Sequence, residues 1–309
     1  MVLLLLALAA CSPERADEEF FAPGGAGVPV IDAMMVVGKP YPNVYVTETL
    51  LPNQPFSYEA AGVTGATVTI SFGTTNPATM NYVGRSDPPG RYVPELSVLV
   101  APGRNYRLTV TMPDGRVVTS ETTTPDRIDV REWVLLDSSG QTVMQRLSTF
   151  ADFPGDEDTL YTVPENQLTF NQGLLEVRLE DQAAIGYLVG LQSLDPGSEL
   201  LIDASFLDEE DLDNFTRNNQ SPPFEANQNY LRAPWFAIYY EGRYKVRVFK
   251  MDRNWYDLAR TDPILGAGGF GFGGEAGDNT VPPLFHVEGG VGLFGSMSSD
   301  SVGFYVHAP

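Results

Sequence analysis

The sequence predicts an all-β protein in which an N-terminal β-sandwich of the immunoglobulin or transthyretin type precedes a larger β-rich domain with a few short helices. Three observations predict this class. Alternating apolar and polar residues recur along the 309 residues, which is the period of a strand with one buried face. Turn sequences containing glycine or proline separate these runs, as in a sandwich of short strands. Apolar residues make up 43% of the chain, which is enough for packed cores.

The N-terminal sandwich is predicted over residues 28–125. Its clearest element is a hairpin in which the runs 105–112 and 116–125 flank the turn Pro113-Asp114-Gly115. An Asp-Gly pair between two alternating runs is a strong hairpin signal. The edge of this domain is placed at Thr124-Pro125. The other strands predicted in this half are residues 66–73 and 91–100.

The second domain is predicted over residues 126–309. A helix is expected to start at Asp208, because the apolar residues around it have the spacing of a hydrophobic staple. Another helix is expected over residues 252–260, and Glu241-Gly242 is expected to form a hairpin turn. Three apolar residues share one face of the second helix: Trp255, Leu258 and Ala259. The strands predicted in this half are residues 174–180, 184–194, 235–242 and 243–252.

The N-terminus has the pattern of a lipoprotein signal. Residues 2–10 form a short apolar run, which matches a signal-peptide core and falls short of the roughly 20 residues that span a bilayer. Leu8-Ala9-Ala10-Cys11 resembles a bacterial lipobox, in which the cysteine is acylated and becomes the mature N-terminus. Cys11 is the single cysteine, so it forms no intramolecular disulfide. We therefore predict a signal peptide over residues 1–10 and a lipidated Cys11.

Residues 11–27 are predicted to be the lipidated cysteine and a flexible tether, because they are polar, acidic and then rich in glycine and proline. Asp17-Glu18-Glu19 resembles the acidic tags that send some lipoproteins to the cell surface, and a solvated linker explains it equally well. No Lys or Arg precedes the apolar run, so we expect the true start codon upstream of Met1. The predicted location is the outer membrane, on its periplasmic or its exposed face.

The chain is strongly acidic, with 40 acidic against 19 basic residues and a formal net charge of −21. Such a surface repels phosphate backbones, so nucleic acid is not an expected partner. We interpret the charge as a source of solubility for an exposed module.

Histidine chemistry has little support. Only His286 and His307 occur, and the chain has no Gly-x-Ser-x-Gly elbow that would supply an activated serine. Two histidines also fall short of the three or four ligands of a zinc site. Both are predicted to be ordinary polar positions on terminal strands.

No other motif identifies an active site. Carboxylates are abundant, so a glycosidase-like acid pair stays open, but nothing selects two of them. Residues 208–214 lack the central glycine of a calcium loop, and residues 155–158 are interpreted as a solvated turn. Residues 266–277 contain Gly-x-Gly-x-x-Gly twice, without the flanking strand and helix of a dinucleotide site, and are interpreted as a flexible loop. The tryptophans are assigned to core packing: Trp133, Trp235 and Trp255.

The closing segment, residues 282–306 (PPLFHVEGGVGLFGSMSSDSVGFYV), resembles the C-terminal signature of the DUF4249 family of Bacteroidetes-type lipoproteins. That signature has a proline-led strand, a glycine-rich turn and a final strand. The turn is expected to reverse the chain through a positive φ and to direct its apolar residues inward. Its residues here are Gly290, Gly292, Leu293, Phe294 and Gly295.

Upstream segments agree with the same family in order and spacing. YKVRVFKMDRNWYDLAR resembles the family's strand and helix, and GATVTI, GRY and GRNYRLTVTMPDGR resemble its sandwich strands. The resemblance runs from about Val28 to the end and includes the lipobox. The chain departs from the family at residues 266–277, which resemble an insertion, and at Glu288.

The resemblance implies location and class without an inherited active site, because the family is one of unknown function. Its members resemble non-enzymatic envelope lipoproteins considered alongside TonB-dependent outer-membrane receptors. We therefore expect a membrane-anchored accessory or binding component of a transporter or cell-surface complex, with no cofactor. A carbohydrate-binding or adhesin-like surface module is the alternative, because exposed members of the 14 Tyr and 3 Trp could stack on sugars. A carboxylate hydrolase is a third possibility.

Overall fold

The structure is a computed structural model that describes residues 26–73, 77–152, 157–170, 172–180, 184–201, 217–221, 223, 229–233, 238–261 and 283–309. Its strands and short helices confirm the predicted all-β class with an N-terminal β-sandwich. The first half contains β1 Pro29–Val36, β2 Val44–Glu48, α1 Tyr58–Ala61, β3 Thr67–Phe72, β4 Ala78–Arg85, β5 Arg91–Pro94, β6 Asn105–Thr111 and β7 Val117–Thr123.

The second half contains longer strands and further short helices. Its strands are β8 Val130–Leu136, β9 Val143–Leu147, β10 Gln167–Thr169, β11 Leu174–Leu179, β12 Gly186–Ser193, β13 Asn218–Gln220, β14 Tyr230–Ala233, β15 Gly242–Met251, β16 Val287–Glu288 and β17 Val291–His307. Its helical segments are α2 Glu157–Leu160, a 3₁₀ turn Pro164–Asn166 and α3 Arg253–Thr261.

Hydrogen-bonded strands form one long path and one separate sheet. The path runs β13-β12-β15-β17-β1-β2-β5-β4-β3-β6-β7-β16, with β10 added beside β17, and the separate sheet runs β14-β11-β8-β9. The path folds back on itself at β4, which pairs with β3 through one half and with β5 through the other. The two layers that result enclose the first core.

Side chains that alternate along the strands fill this first core. Residues of β1 and β2 face residues of β3, β6 and β7 across the sandwich, and their burial follows the alternation. Burying such side chains contributes about 1.5–3 kcal/mol each. The largest fully buried members are Ile31, Met35, Ile70, Tyr92, Tyr106, Leu108 and Phe294.

A second core lies between the sheet β14-β11-β8-β9 and the strands β12, β15 and β17. Trp133 is buried in it, which confirms its assignment to core packing. Its other large members are Leu135, Tyr187, Tyr244, Val248, Val302 and Phe304.

Strand β17 contributes to both cores. Its first part pairs in parallel with β1, and Phe294 is buried in the first core. Its second part pairs antiparallel with β15, and Phe304 is buried in the second core, stacked on Tyr244 at 5.7 Å between ring centroids. The C-terminal strand therefore continues one sheet through the sandwich and the second half.

The predicted glycine turn at residues 290–295 is wrong in position. The chain reverses at Gly289, which has φ +79°, and residues from Val291 onward already belong to β17. Gly292 does have a positive φ, +108°, but it lies inside the strand, where its missing side chain lets β17 approach β1. A Cβ there would overlap the carbonyl oxygen of Ile31. Phe294 points inward as expected, whereas the same expectation is wrong for Leu293, which is only partly buried because neighbouring residues of a strand face opposite sides of the sheet.

Two strand predictions also need correction. The run 91–100 is a strand only over Arg91–Pro94, after which the N–H of Glu95 makes one more backbone hydrogen bond to β4, at 3.0 Å to the carbonyl of Asn81. Beyond it, the carbonyls of Val98 and Val100 accept backbone hydrogen bonds from residues 41 and 38. The hairpin expected at Glu241-Gly242 does not form within the described residues, since Tyr240 bridges Leu200 and β15 pairs with β12 and β17.

The helix predicted over residues 252–260 is confirmed as α3. Oδ1 of Asp252 accepts a 3.0 Å hydrogen bond from the backbone N–H of Trp255, as a cap of the first turn does. Ala259 is buried and Trp255 packs beside it. The helix predicted at Asp208 and the glycine-rich segment 266–277 lie outside the described residues.

Candidate functional site

A surface groove of about 800 Å³ lies at one end of the sandwich. It is formed by the end of β3, the turn before β6 and the adjoining face of β7. Its walls combine one aromatic ring with basic, amide and acidic side chains. The side chains that give it chemical character are Phe72, Arg104, Asn105, Arg107 and Glu121.

Local hydrogen bonds hold the turn that carries Arg104. The hydroxyl of Thr124 donates to the carbonyl of Ala101 at 2.8 Å and accepts from the N–H of Arg104 at 2.9 Å. Gly103 has φ +59°, which glycine adopts without strain. The turn therefore presents Arg104 and Asn105 as neighbours on a fixed backbone.

The groove has an aromatic and cationic side and an ion-paired side. The guanidinium of Arg104 lies 4.7 Å from the ring centroid of Phe72, which is within cation–π range. Arg107 and Glu121 form a 3.0 Å ion pair whose side chains are both 52% exposed. Because both side chains are hydrated, the pair contributes little to stability. A ligand can therefore replace one of the two partners at a small cost in free energy.

The chain enters the sandwich at the opposite end from the groove. Gly27 and Val28 exchange backbone hydrogen bonds of 2.8 and 2.9 Å with Thr49. Arg116, in the turn after β6, donates to the carbonyl of Gly27 at 2.7 Å and also pairs with Glu48. The length of β6, seven residues or about 20 Å, separates this entry from the groove.

A buried polar cluster joins β7 to β17 and α3. The hydroxyl of Thr122 donates to Oδ2 of Asp252 at 2.6 Å and lies 2.7 Å from the hydroxyl of Ser296. Asn254 donates to the carbonyls of Glu121 and Phe294 at 2.6 and 2.8 Å. Burial raises the pKa of Asp252, although the hydrogen bond from the Thr122 hydroxyl and backbone hydrogen bonds, including that from Trp255, oppose the shift. The cluster is a structural joint closed to solvent.

Asp257 and His286 form an ion-pairing site beside this joint. Oδ2 of Asp257 lies 2.9 Å from Nε2 of His286, and Oδ1 accepts from Arg260 at 3.0 Å. Burial alone would raise the pKa of Asp257, but the hydrogen bonds from His286 and Arg260 outweigh it and lower the pKa. The hydroxyl of Ser120 donates to the carbonyl of His286 at 2.6 Å, not to its ring. The three side chains thus lack the geometry of a catalytic triad.

One of the two histidines differs from its predicted setting. His307 does end β17, and its Nε2 lies 2.7 Å from Oε1 of Gln167. His286 precedes β16 instead of lying on a strand, and its ring pairs with Asp257. The predicted strand position is therefore wrong for His286, which lies one residue before β16. No local pattern indicates this pair, because 29 residues separate its members along the chain.

Other sequence-predicted positions are placed as follows. Cys11, Trp235 and residues 208–214 lie outside the described residues. Asp158, part of the predicted turn at 155–158, accepts from Arg243 at 3.1 Å while it stays 82% exposed.

Among the residues the structure describes, no group of three or more His, Cys, Asp or Glu side chains is placed to hold a metal ion. The described helices include none with the length and apolarity needed to cross a membrane.

The groove was not predicted, although part of its signal is visible in the sequence. Ala101-Pro102-Gly103 is a turn signal, and the arginine and asparagine after it are polar residues on a loop, where binding residues concentrate. Phe72 and Glu121 lie on other strands, and only the sandwich brings them to this turn.

Fold and site together define a class: a strand-built, two-core protein with an open polar groove at one end of its first sandwich. The family of domains of unknown function called DUF4249 matches residues 26–301. The chain therefore belongs to the DUF4249 family, as the C-terminal signature and the sandwich strands predict. A comparison with curated proteins found no match.

Solved structures show only distant likeness. The FN1–FN3 domains of chicken CNTN1 align with 74% of this chain and 63% of their own length, at 11% identity and a TM-score of 0.23. A 1.5-MDa bacterial ice-binding adhesin aligns with 91% of this chain and 64% of its own, at 12% identity and a TM-score of 0.21. The chain thus spans less than two thirds of either structure, and similarity this low gives no functional information.

Proposed function

We propose that this DUF4249 protein is a non-enzymatic lipoprotein of the outer membrane, anchored through acylated Cys11, that binds a partner in a transporter or cell-surface complex. The receptor expected is of the TonB-dependent type. One observation carries the proposal: the chain enters the sandwich at Gly27, and the groove lies at the opposite end of β6. A tether at one end leaves the groove directed away from the lipid.

The chemistry of the groove supports binding more than catalysis. Its arginines and Asn105 are exposed on a backbone fixed by Thr124, so a partner meets preformed hydrogen-bond donors. Arg104 also lies against Phe72, and arginine with aromatic contacts is enriched at protein interfaces. The groove has one carboxylate, Glu121, and Arg107 pairs with it, whereas a glycosidase-like reaction needs two.

A photo-crosslinking experiment tests the partner. A benzophenone amino acid replaces Asn105 in the groove of the membrane-anchored chain, and the matched control replaces Arg85, an exposed residue at the tether end of the sandwich. We expect an adduct with an outer-membrane receptor from position 105 and none from position 85. Equal adducts at both positions, or no adduct at 105, would contradict the proposed site.

The lipid anchor is tested separately. Mass spectrometry of the N-terminal peptide of the membrane-extracted protein should show acyl chains on Cys11. More than one chain is expected, since stable anchoring takes two or more signals. An unmodified thiol would remove the anchoring part of the proposal.

A carbohydrate-binding surface module is the second candidate function. The half-buried ring of Phe72 and the polar rim formed by Asn105 and Arg107 favour it, because sugar sites combine an apolar face with hydrogen-bonding groups. A glycan array probed with the purified chain separates the two functions. Binding that Arg104→Ala abolishes would favour the sugar ligand, and an array without hits would argue against it.

A further inference from the structure

We infer that residues 49–58, here called the entry loop, are a lipid-contacting surface that lies against the membrane beside the tether. The inference rests on the proposed function, because it takes Cys11 as the point of attachment. It adds a second contact between the protein and the bilayer.

The entry loop exposes two large apolar side chains. The residue Phe56 is 64% exposed and the residue Leu51 is 47% exposed. The loop contains no charged residue, in a chain of net charge −21. Anionic headgroups repel an acidic surface, so a neutral apolar segment can approach them more readily than a surface that carries net negative charge.

The loop has a defined shape that directs these side chains outward. The N–H of Gln54 donates to the carbonyl of Leu51 at 2.9 Å, and the hydroxyl of Ser57 accepts from Ala60 at 3.2 Å. The ring of Phe56 lies edge-on to Tyr58 at 5.4 Å, and Tyr58 lies 5.6 Å from Tyr45. The aromatic residues therefore form a short ladder with Phe56 at its exposed end. Tyrosine rings are enriched at membrane–water interfaces, and phenylalanine and leucine form the lipid-facing side of interfacial segments.

The position of the loop identifies lipid as its partner. Thr49, the first residue of the loop, holds the entering chain through backbone hydrogen bonds with Gly27 and Val28. Fifteen residues separate Cys11 from Gly27, and they reach at most about 50 Å. Anchoring at Cys11 keeps the loop within that distance of the bilayer, so even a weak contact is populated through its high effective concentration.

The other exposed apolar cluster provides a control. Leu96 is 65% exposed and Leu99 is 60% exposed, and both follow β5 at the groove end of the sandwich. They match Leu51 and Phe56 in exposure but lie away from the tether. A general tendency of exposed apolar residues to adsorb on lipid would protect both clusters, whereas the inference predicts protection of the entry loop alone.

Because Cys11 is the only thiol in the chain, it can be coupled to lipid chemically. The full-length chain is attached through Cys11 to phosphatidylcholine vesicles that contain a maleimide-headgroup lipid. Hydroxyl-radical footprinting with mass spectrometry then measures oxidation at each side chain. The reference is the same chain blocked with N-ethylmaleimide and mixed with vesicles without the reactive lipid.

We expect tethering to lower the oxidation of Leu51 and Phe56 by about threefold or more relative to Leu96 and Leu99, because side chains seated in the interface leave water. The double variant Leu51→Ser/Phe56→Ser should lose the protection of Tyr58. The matched variant Leu96→Ser/Leu99→Ser should retain it. Equal oxidation at the two clusters, or Tyr58 protection in both variants, would overturn the inference.

The outcome is distinguishable from a failure of the proposed function. Chemical coupling does not depend on acylation in the cell, which the N-terminal mass measures independently. An unprotected loop on an acylated protein would overturn the loop's role and leave the anchor intact. If the loop is protected but Cys11 of the native protein carries no acyl chain, the proposed lipid anchor is wrong. The inference that the loop contacts lipid would still hold.

Discussion

The hydroxyl of Thr122 donates a 2.6 Å hydrogen bond to the carboxylate of Asp252, 130 residues further along the chain. Thr122 is the penultimate residue of strand β7 in the N-terminal sandwich, and Asp252 caps the helix that follows the second-core strand β15. Both residues are buried, at 2% and 3% exposure. This contact, together with the strand β17 that enters both cores, couples the two halves of the protein.

We expect Thr122→Val to destabilise the protein by about 1–3 kcal/mol, because the substitution keeps the shape but leaves a buried carboxylate oxygen without its donor. Urea unfolding measures the change. Thr109→Val, on the adjoining strand β6, is the control, since the described residues give its hydroxyl no hydrogen bond. Equal effects of the two substitutions would contradict the importance of the contact.

Asp252 should make stability depend on pH in a defined direction. Its folded-state pKa is raised above the unfolded value by burial, so its contribution is complete below about pH 3.9 and is lost as the pH rises through the folded pKa. The unfolding free energy of the wild type minus that of Asp252→Asn should therefore decrease between pH 4 and pH 7. Urea titrations at several pH values test this, and a constant difference would refute it.

Asp257 should show the opposite dependence. Hydrogen bonds from His286 and Arg260 lower its pKa despite burial, so its contribution is present above about pH 3.9 and is lost as the pH falls through the folded pKa. Asp257→Asn should cost about 1.5–3 kcal/mol at pH 7 and less in acid. Glu121→Gln breaks an exposed pair and should cost less than about 1 kcal/mol. Denaturant unfolding measures the loss of unfolding free energy in both variants. Similar losses at pH 7 would contradict a stabilising role for the hydrogen bonds of Asp257.

Gly292→Val should destabilise the protein more than Gly115→Val. Both glycines have a positive φ, +108° and +90°, which costs another residue about 1–2 kcal/mol. A Cβ at Gly115 meets nothing within 4 Å, whereas one at Gly292 overlaps the carbonyl of Ile31. The additional cost at Gly292 should be about 1–3 kcal/mol. Thermal unfolding measures both, and an unchanged melting temperature for Gly292→Val would contradict the close approach of β17 to β1.

Much of the local structure was predictable because it follows from neighbouring residues. The hairpin around Asp114-Gly115 and the helix after Asp252 depend on turn and cap chemistry within a few positions. The predicted strand at residues 91–100 failed after Pro94, where backbone contacts with residues 38–41 replaced the ladder. The predicted glycine turn is wrong because Gly292 lies in β17 and lets that strand approach Ile31 of β1. No local pattern indicates a partner that is 261 residues away in sequence.

The sequence by itself determined the all-β class, the family and the expectation of an anchored Cys11, because composition, periodicity and short motifs are properties of adjacent residues. Only the tertiary structure decided the groove around Arg104, the Asp257–His286 pair and the joint at Thr122 and Asp252. Each of these joins side chains that are distant in sequence, and they meet because strand pairing is settled by burial across the whole sheet. The positions of the groove and the entry loop at opposite ends of the sandwich follow from that pairing.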